Sequence, residues 1–280
     1  MNLLSELDQP GEYFIDEKSL HLYFLPDGKI GDKPAMLSVN TSAVVTLANT
    51  KHTSLENLEV GFGRSTGISA TGIDSVLIRN VTVYGLGTSG IELSGTNSAV
   101  VSSEISHTGC AGMSAGGGVD HKPTPGNLTV RGNKIHHIGN WKRTYMPAIR
   151  FSGSGNLYAD NVVSHAPHTC MTGGGTNLTF EGNTLDTCCY ESSDVSAAAA
   201  LATAHCCVFF RSLKEATAQV GAFYVCGQGG TAFWGGRGGR VLNNTFKNIR
   251  NMDGTGVQGP SVQALYLVRP ASSVCTGFGR

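Results

Sequence analysis

The sequence predicts an all-β fold: a right-handed parallel β-helix, a solenoid of about 22–30 residues per coil, with an N-terminal hairpin segment. Three observations carry this expectation. Short apolar-alternating runs recur along the chain, each followed by Gly or small polar residues: Leu58-Glu59-Val60, Val81-Thr82-Val83, Glu104-Ile105, Lys134-Ile135, Val162-Val163, Thr184-Leu185 and Thr245-Phe246. Their last apolar residues lie at 60, 83, 105, 135, 163, 185 and 246, giving gaps of 23, 22, 30, 28, 22 and 61. Glycine is in excess, 38 of 280 residues, and charged residues make up only 14%, against roughly 25% in an average soluble domain. Such a balance fits many tight turns between short strands. Finally, no amphipathic helix alternates with the runs, and the L-x-x-L-x-L spacing of leucine-rich repeats is absent, which argues against both helix-containing alternatives. Strands this short cannot bury a face alone. Stacked coil on coil at about 4.8 Å, they enclose one continuous apolar interior.

Residues 1–50 read as an N-terminal β segment or cap. Glu12-Tyr13-Phe14-Ile15-Asp16 and Leu20-His21-Leu22-Tyr23-Phe24-Leu25 flank a polar Glu17-Lys18-Ser19 turn and end at Pro26-Asp27-Gly28, the pattern of a hairpin. Residues 51–195 hold the coils, with second runs inside the units at Gly67-Ile68-Ser69, Gly90-Ile91-Glu92-Leu93, Gly112-Met113-Ser114 and Ala148-Ile149-Arg150. Residues 196–220 break the pattern: they are Ala-rich, contain Leu213-Lys214-Glu215-Ala216 and read as helix or coil. Removing them joins Asp194-Val195 to Gly221-Ala222-Phe223-Tyr224 and shortens the last gap from 61 to 36. Coils resume over 221–267, and 268–280 is an irregular tail. Both foreign stretches abut a valine, whose codon begins GT, and the first ends in Gln219-Val220, compatible with CAG followed by GT. Retained intron sequence is one reading; a genuine surface insertion and a frayed terminus is the other.

Twenty Lys+Arg balance twenty Asp+Glu, so the basic excess of a phosphate-neutralising nucleic-acid binder is missing. The longest apolar stretch, Ala197 to Phe210, is interrupted by Thr203 and His205 and is too short to span a bilayer. Met1 to Leu7 carries no basic segment followed by an apolar run, so no signal peptide is expected. Eight cysteines form no C-x-x-C and no zinc-like spacing with histidine. No metal and no other cofactor is expected, and the redox compartment stays open.

Two glycine motifs fail on context. Gly85-Leu86-Gly87-Thr88-Ser89-Gly90 follows a strand but precedes another strand, not the helix a dinucleotide site needs. Gly112-Met113-Ser114-Ala115-Gly116 continues into Gly117-Gly118 as loop, where a nucleophile elbow requires a helix. His107, His137 and His165 each fall two residues after an anchor, so a β-helix stacks them in one column on successive coils. A polar ladder at a coil corner is the favoured reading over a metal or proton-relay site, which His168 would join. Trp141-Lys142-Arg143-Thr144-Tyr145 is a cationic and aromatic cluster in the longest coil, fit to line a saccharide groove or to be an ordinary surface loop. Asp194, near Glu191, has the carboxylate chemistry of glycoside cleavage or the role of a turn cap. Sequons begin at Asn40, Asn80, Asn127, Asn177 and Asn243, and an Asn- and Thr-rich chain produces several by chance.

At these residues the chain resembles right-handed parallel β-helix proteins of the pectate-lyase-like superfamily, and within it the glycoside hydrolase family 141-like branch. The likeness lies in Pro10-Gly11-Glu12-Tyr13-Phe14-Ile15-Asp16 with Leu22-Tyr23-Phe24, in Trp141 to Tyr145 with Pro147-Ala148-Ile149-Arg150, and in His165-Ala166-Pro167-His168. It continues through Tyr190-Glu191-Ser192-Ser193-Asp194, Gly221-Ala222-Phe223-Tyr224, Arg237-Gly238 and Gln263-Ala264-Leu265-Tyr266-Leu267, covering most of 9–195 and 221–267. The resemblance implies an extracellular or cell-surface carbohydrate-active protein, monomeric, with polysaccharide as its partner. It implies Asp194 as a catalytic acid and Trp141, Lys142, Arg143, Tyr145, His165, His168, Glu191 and Tyr224 as substrate-binding positions. A second aspartate is expected just after Tyr266-Leu267, where Val268-Arg269-Pro270 stands instead. One carboxylate cannot serve as both acid and base or nucleophile, so the expectation is a truncated version, inactive as written. A non-catalytic glycan-binding β-helix is the alternative. A Ca²⁺-dependent polysaccharide lyase is the third reading, and acidic residues near the anchors are too sparse to favour it.

Overall fold

The structure, a computed structural model, describes residues 3–31, 36–119, 124–188, 190–191, 223–225, 240–247 and 265–267. Two compact units result, Met1–Leu37 and Ser38–Arg280. The first holds the hairpin: β1 (Tyr13–Asp16) and β2 (His21–Phe24) pair antiparallel, Tyr13 opposite Phe24 and Asp16 opposite His21. Asp16 caps the turn, its carboxylate accepting from the Ser19 hydroxyl at 2.6 Å and the Lys18 amide at 3.0 Å. These bonds hold it below the usual aspartate range, Ser19 contributing most.

The second unit is a stack of parallel coils, each offering up to three strands in turn. The first coil has β3 (Val45–Ala48), β4 (Lys51–Glu56) and β5 (Glu59–Gly61). In the second, β6 (Ile68–Arg79) runs through two sides and β7 (Thr82–Leu86) forms the third. The third holds β8 (Ile91–Thr96), β9 (Ala99–Val101) and β10 (Glu104–Thr108), and the fourth β11 (Met113–Gly117), β12 (Thr129–Arg131) and β13 (Lys134–His136). Next come β14 (Ile149–Gly153), β15 (Leu157–Ala159) and β16 (Val162–Ala166), then β17 (Met171–Gly173), β18 (Thr179–Glu181) and β19 (Thr184–Cys188). The last described strands are β20 (Phe223–Val225), β21 (Arg240–Leu242), β22 (Thr245–Lys247) and β23 (Leu265–Leu267). First strands pair with first strands from β3 to β23, second with second from β4 to β21, and third with third from β5 to β22.

Register follows from burial. A slip of one residue would turn every apolar side chain outward. On the third strands Val60, Val83, Ile105, Ile135, Val163, Leu185 and Phe246 stand in one register column, the seven anchor positions of the sequence pattern. On the first strands Ile68, Ile91, Met113, Ile149 and Met171 form a second column, fully buried. On the second strands Ile78, Val100, Val130, Tyr158 and Phe180 form a third. Phe151, Tyr158 and Phe180 meet in the interior at ring-centroid distances of 4.7 to 5.8 Å. The Tyr158 hydroxyl donates to the Ala115 carbonyl at 2.7 Å, and burial pushes its phenol well above the usual tyrosine range. Phe180→Ala is expected to lower stability by about 3–5 kcal/mol, read as a lower urea midpoint.

Buried asparagines tie the coils together at the corner before the third strands. Asn133, Asn161 and Asn183 each pass a side-chain N–H to the Oδ1 of the next asparagine in line, ending on Asn244, at 2.8 to 3.0 Å. The same Oδ1 atoms accept a backbone amide from the coil before, and Ser103 and Val81 extend the ladder toward the N-terminal end. Exposed asparagines serve the turns. Asn80, Asn127, Asn177 and Asn243 lie at φ of 51 to 53°, in the left-handed region that Asn tolerates. After three of them comes an inward apolar residue, after Asn243 the ladder residue Asn244, and then a threonine that opens the strand. Four sequons therefore arise from the grammar of the coil.

Cys170 and Cys188 form a disulfide, Cα atoms 5.7 Å apart, joining the corner link before β17 to the end of β19. Closing a loop with a sequence separation of 18 stabilises by about 3 kcal/mol in the chain-entropy account. Cys170→Ser/Cys188→Ser is expected to lower Tm under non-reducing conditions; an unchanged Tm would contradict the bridge.

Corner links from third to first strands are four residues long before β8, β11 and β17, twelve before β14 and thirty-four before β20. Residues 196–220, and Asp194, belong to that longest link and lie outside the described residues. β20 nevertheless pairs with β17 in register, Met171 with Phe223 and Thr172 with Tyr224. The irregular tail over 268–280 also lies outside the described residues.

Candidate functional site

Outward residues of the first strands form the floor of the site. Between the buried columns stand Ser69, Glu92, Ser114, Arg150 and Thr172 in one register row, which Tyr224 and Tyr266 continue by register. Beside it run Thr71, Ser94, Gly116 and Ser152. The twelve-residue link 137–148 supplies the wall. Its backbone is anchored to the corner of the preceding coil: the Trp141 and Lys142 amides both donate to the Gly109 carbonyl, at 2.8 and 2.7 Å, and the Gly139 amide to Cys110 at 2.8 Å.

Wall and floor enclose a cleft of about 410 Å³, lined by hydroxyls of Thr71, Thr88, Ser89, Ser94 and Ser114, by Glu92, by the Lys142 and Arg150 cations and by Met146 and Cys110. The Glu92 carboxylate accepts from the Thr66 hydroxyl at 3.1 Å, and Thr66 in turn meets the Thr88 hydroxyl at 3.1 Å. Arg150 donates to the Tyr145 carbonyl at 2.8 Å. Among the described residues neither Lys142 nor Arg150 has a carboxylate partner. From the described residues the cleft therefore offers two cationic donors, one carboxylate and a row of hydroxyls, a lining suited to a polyhydroxylated ligand. Among the described residues no group of three or more His, Cys, Asp or Glu is arranged to hold a metal ion.

The predicted site residues divide into several places. Lys142 lines the cleft, and Trp141, 81% exposed, stands on the same link. Arg143 turns instead to Glu191: the guanidinium clasps that carboxylate through Nε and Nη2 and bridges the twelve-residue link to the start of the thirty-four-residue one. Glu191 holds the Arg143 guanidinium above even its usual value, and burial pushes the neighbouring Tyr190 phenol up. Each of these two predicted sugar contacts is thus engaged with the other. Tyr145 packs on His168 at 4.8 Å between ring centroids. His168 is 2% exposed, and its Nδ1 meets the Thr169 hydroxyl at 2.9 Å, so it supports the wall from beneath. Tyr224 holds a register position in the floor row.

His165 lies on the third strands, away from the floor row. With His107 and His137 it forms the column expected from spacing: rings at 5.3 and 4.4 Å, planes within 6° and 9°. All three sit at φ of 51 to 52°, where the same corner position carries Phe62, Gly85 and Thr187 on other coils. Burial first, then the neighbouring His165, His136 and His107, hold His137 below the usual histidine range. A histidine with a depressed folded-state value contributes stability at neutral pH that is lost as pH falls below its ordinary range. His137→Asn is therefore expected to flatten the fall in Tm between about pH 7 and about pH 5; an unchanged slope would contradict this.

Sequence reasoning passed over Glu92 and Arg150 as site residues, and weighed Ser114 only as the serine of a nucleophile elbow. The signal was present: a polar residue between two buried apolar ones, as in Ile91-Glu92-Leu93, Met113-Ser114-Ala115 and Ile149-Arg150-Phe151. Its meaning emerges only once these strands are stacked in register.

A family model described as a right handed beta helix region matches residues 43–257. Comparison with curated proteins and with solved structures gives no match.

Proposed function

From the premise that the chain belongs to the right-handed beta helix family, we propose that it is a carbohydrate-active β-helix that binds a glycan chain in the cleft between β8, β11, β14 and the 137–148 link. The observation that carries this reading is the lining: hydroxyls and two cations that have no carboxylate partner among the described residues, along a stacked sheet, with an exposed indole on the bordering link. Sugar rings present apolar faces that stack on aromatics and hydroxyls that pair with Ser, Thr, Lys and Arg. Membership of the pectate-lyase-like superfamily, and of its glycoside hydrolase family 141-like branch, belongs to the same proposal and rests on the residue likenesses above. So does a monomeric, extracellular or cell-surface protein, which the Cys170–Cys188 disulfide supports because such bridges persist in oxidising compartments.

Within this proposal the chain as written binds without cleaving. Glycoside hydrolysis needs two carboxylates flanking the bond, and among the described residues Glu92 is the single one lining the cleft. Asp194 is the candidate acid of the hydrolase reading, favoured by its Tyr190-Glu191-Ser192-Ser193-Asp194 context. A panel of oligosaccharides, assayed for binding and for hydrolysis with and without Ca²⁺, separates the readings. Binding without new reducing ends supports the proposal; Ca²⁺-independent cleavage abolished in Asp194→Asn would replace it with the hydrolase.

A further inference from the structure

The third-strand face carries a row of titratable rings that the cleft does not use. His107, His137 and His165 are exposed, one per coil on consecutive coils, in the parallel stack described above. His136 lies beside them, its Nδ1 2.8 Å from the His137 Nδ1 and its Nε2 2.8 Å from the Glu104 carboxylate. With Glu104 ionised, His136 Nε2 carries a proton and one of the two facing Nδ1 atoms carries another. Lys134 Nζ adds a cation 2.8 Å from the same Glu104 oxygen.

The charged and titratable groups facing this row can be named strand by strand. They are Glu104 and His107 on β10, Lys134 and His136 on β13 with His137 just after it, His165 on β16, and Asp186 on β19, which accepts from the Thr187 hydroxyl at 3.0 Å. Glu104 already meets both Lys134 Nζ and His136 Nε2. Each proton taken up by the stack therefore adds net positive charge. Parallel stacked rings set their nitrogen atoms side by side instead of converging, and no three such groups among the described residues can hold a metal ion. A chelate is not what this geometry offers.

We propose that the His107–His137–His165 column is an acid-activated binding strip for a linear anionic polysaccharide, separate from the cleft. Positive charges repeat at the coil spacing of about 4.8 Å, along an exposed face. That fits a chain bearing one carboxylate per sugar better than a folded protein surface, which would need an apolar core to the contact. The ligand class rests on the glycan reading of the protein; the site does not rest on the cleft. Protonation also adds like-charge repulsion along the stack, which a bound polyanion relieves, so binding and protonation reinforce each other.

Alginate oligomers, with neutral dextran as control, test the strip at about pH 5 and about pH 7.5. The Lys142→Ala/Arg150→Ala background removes the cleft's cations. In that background alginate is expected to bind at least about tenfold more tightly at the lower pH, weakening with salt, while dextran does not bind. The change His107→Asn/His137→Asn/His165→Asn, with residues that tolerate left-handed φ, is expected to abolish the pH-dependent component. Imidazole proton shifts of the unaltered chain on adding alginate provide a readout independent of the variants. Equal alginate affinity at both pH values, its retention in the Asn variant, or unmoved imidazole signals would overturn the strip. Neutral-glycan binding by the unaltered chain at the higher pH reports on the cleft alone.

Discussion

Asn161→Ala is expected to lower the unfolding free energy by about 3–5 kcal/mol, among the largest effects of any polar substitution here. The side chain is fully buried. Its Nδ2 donates to the Val130 carbonyl and to Asn183 Oδ1, both at 2.9 Å, and its Oδ1 accepts both the backbone and side-chain N–H of Asn133, at 3.1 and 3.0 Å. Alanine strands several of these partners without water, each at about 1–3 kcal/mol. Asn127→Ala, at an exposed turn, loses one bond to Asn97 and a favourable left-handed residue, and should cost about 1 kcal/mol. Urea midpoints at unchanged m separate the two. Equal shifts would mean that the ladder is not what holds the coils in register.

Trp141→Ala/Arg150→Ala is expected to weaken glycan binding about a hundredfold while leaving Tm within about two degrees. A charge-assisted hydrogen bond contributes about 1.5–3 kcal/mol and a stacked aromatic about 1 kcal/mol, which together account for that loss. Both side chains are exposed, and neither joins the interior. Titration calorimetry with the best oligosaccharide of the panel gives the affinity. By contrast Arg143→Ala breaks the clasp on Glu191 and should act indirectly, through the placement of the two corner links, with the smaller loss of affinity.

Much of the fold was legible because repetition writes the same constraint seven times. Residues 60, 83, 105, 135, 163, 185 and 246 could be aligned by eye, and they share one register column. The asparagine ladder was equally periodic, each member two residues before an anchor. It passed unnoticed because Asn reads as a turn residue, and its burial depends on the neighbouring coil. The histidine column was legible for the same reason as the anchors. The cleft was only half legible. Lys142 and Trp141 announced themselves as an unusual cluster, whereas Arg150 and Glu92 looked like ordinary outward strand residues. No spacing rule could pair Arg143 with Glu191 across 48 residues, or Cys170 with Cys188, since both depend on how unequal corner links fold.

The central claim is that the glycan lies on the first-strand face under the 137–148 link. Hydrogen exchange of the chain with and without a bound oligosaccharide, at neutral pH, tests it most directly. Added protection should be confined to segments 88–94, 110–115 and 139–150. Protection on the β10, β13 and β16 face instead, or none at saturating ligand, would contradict it.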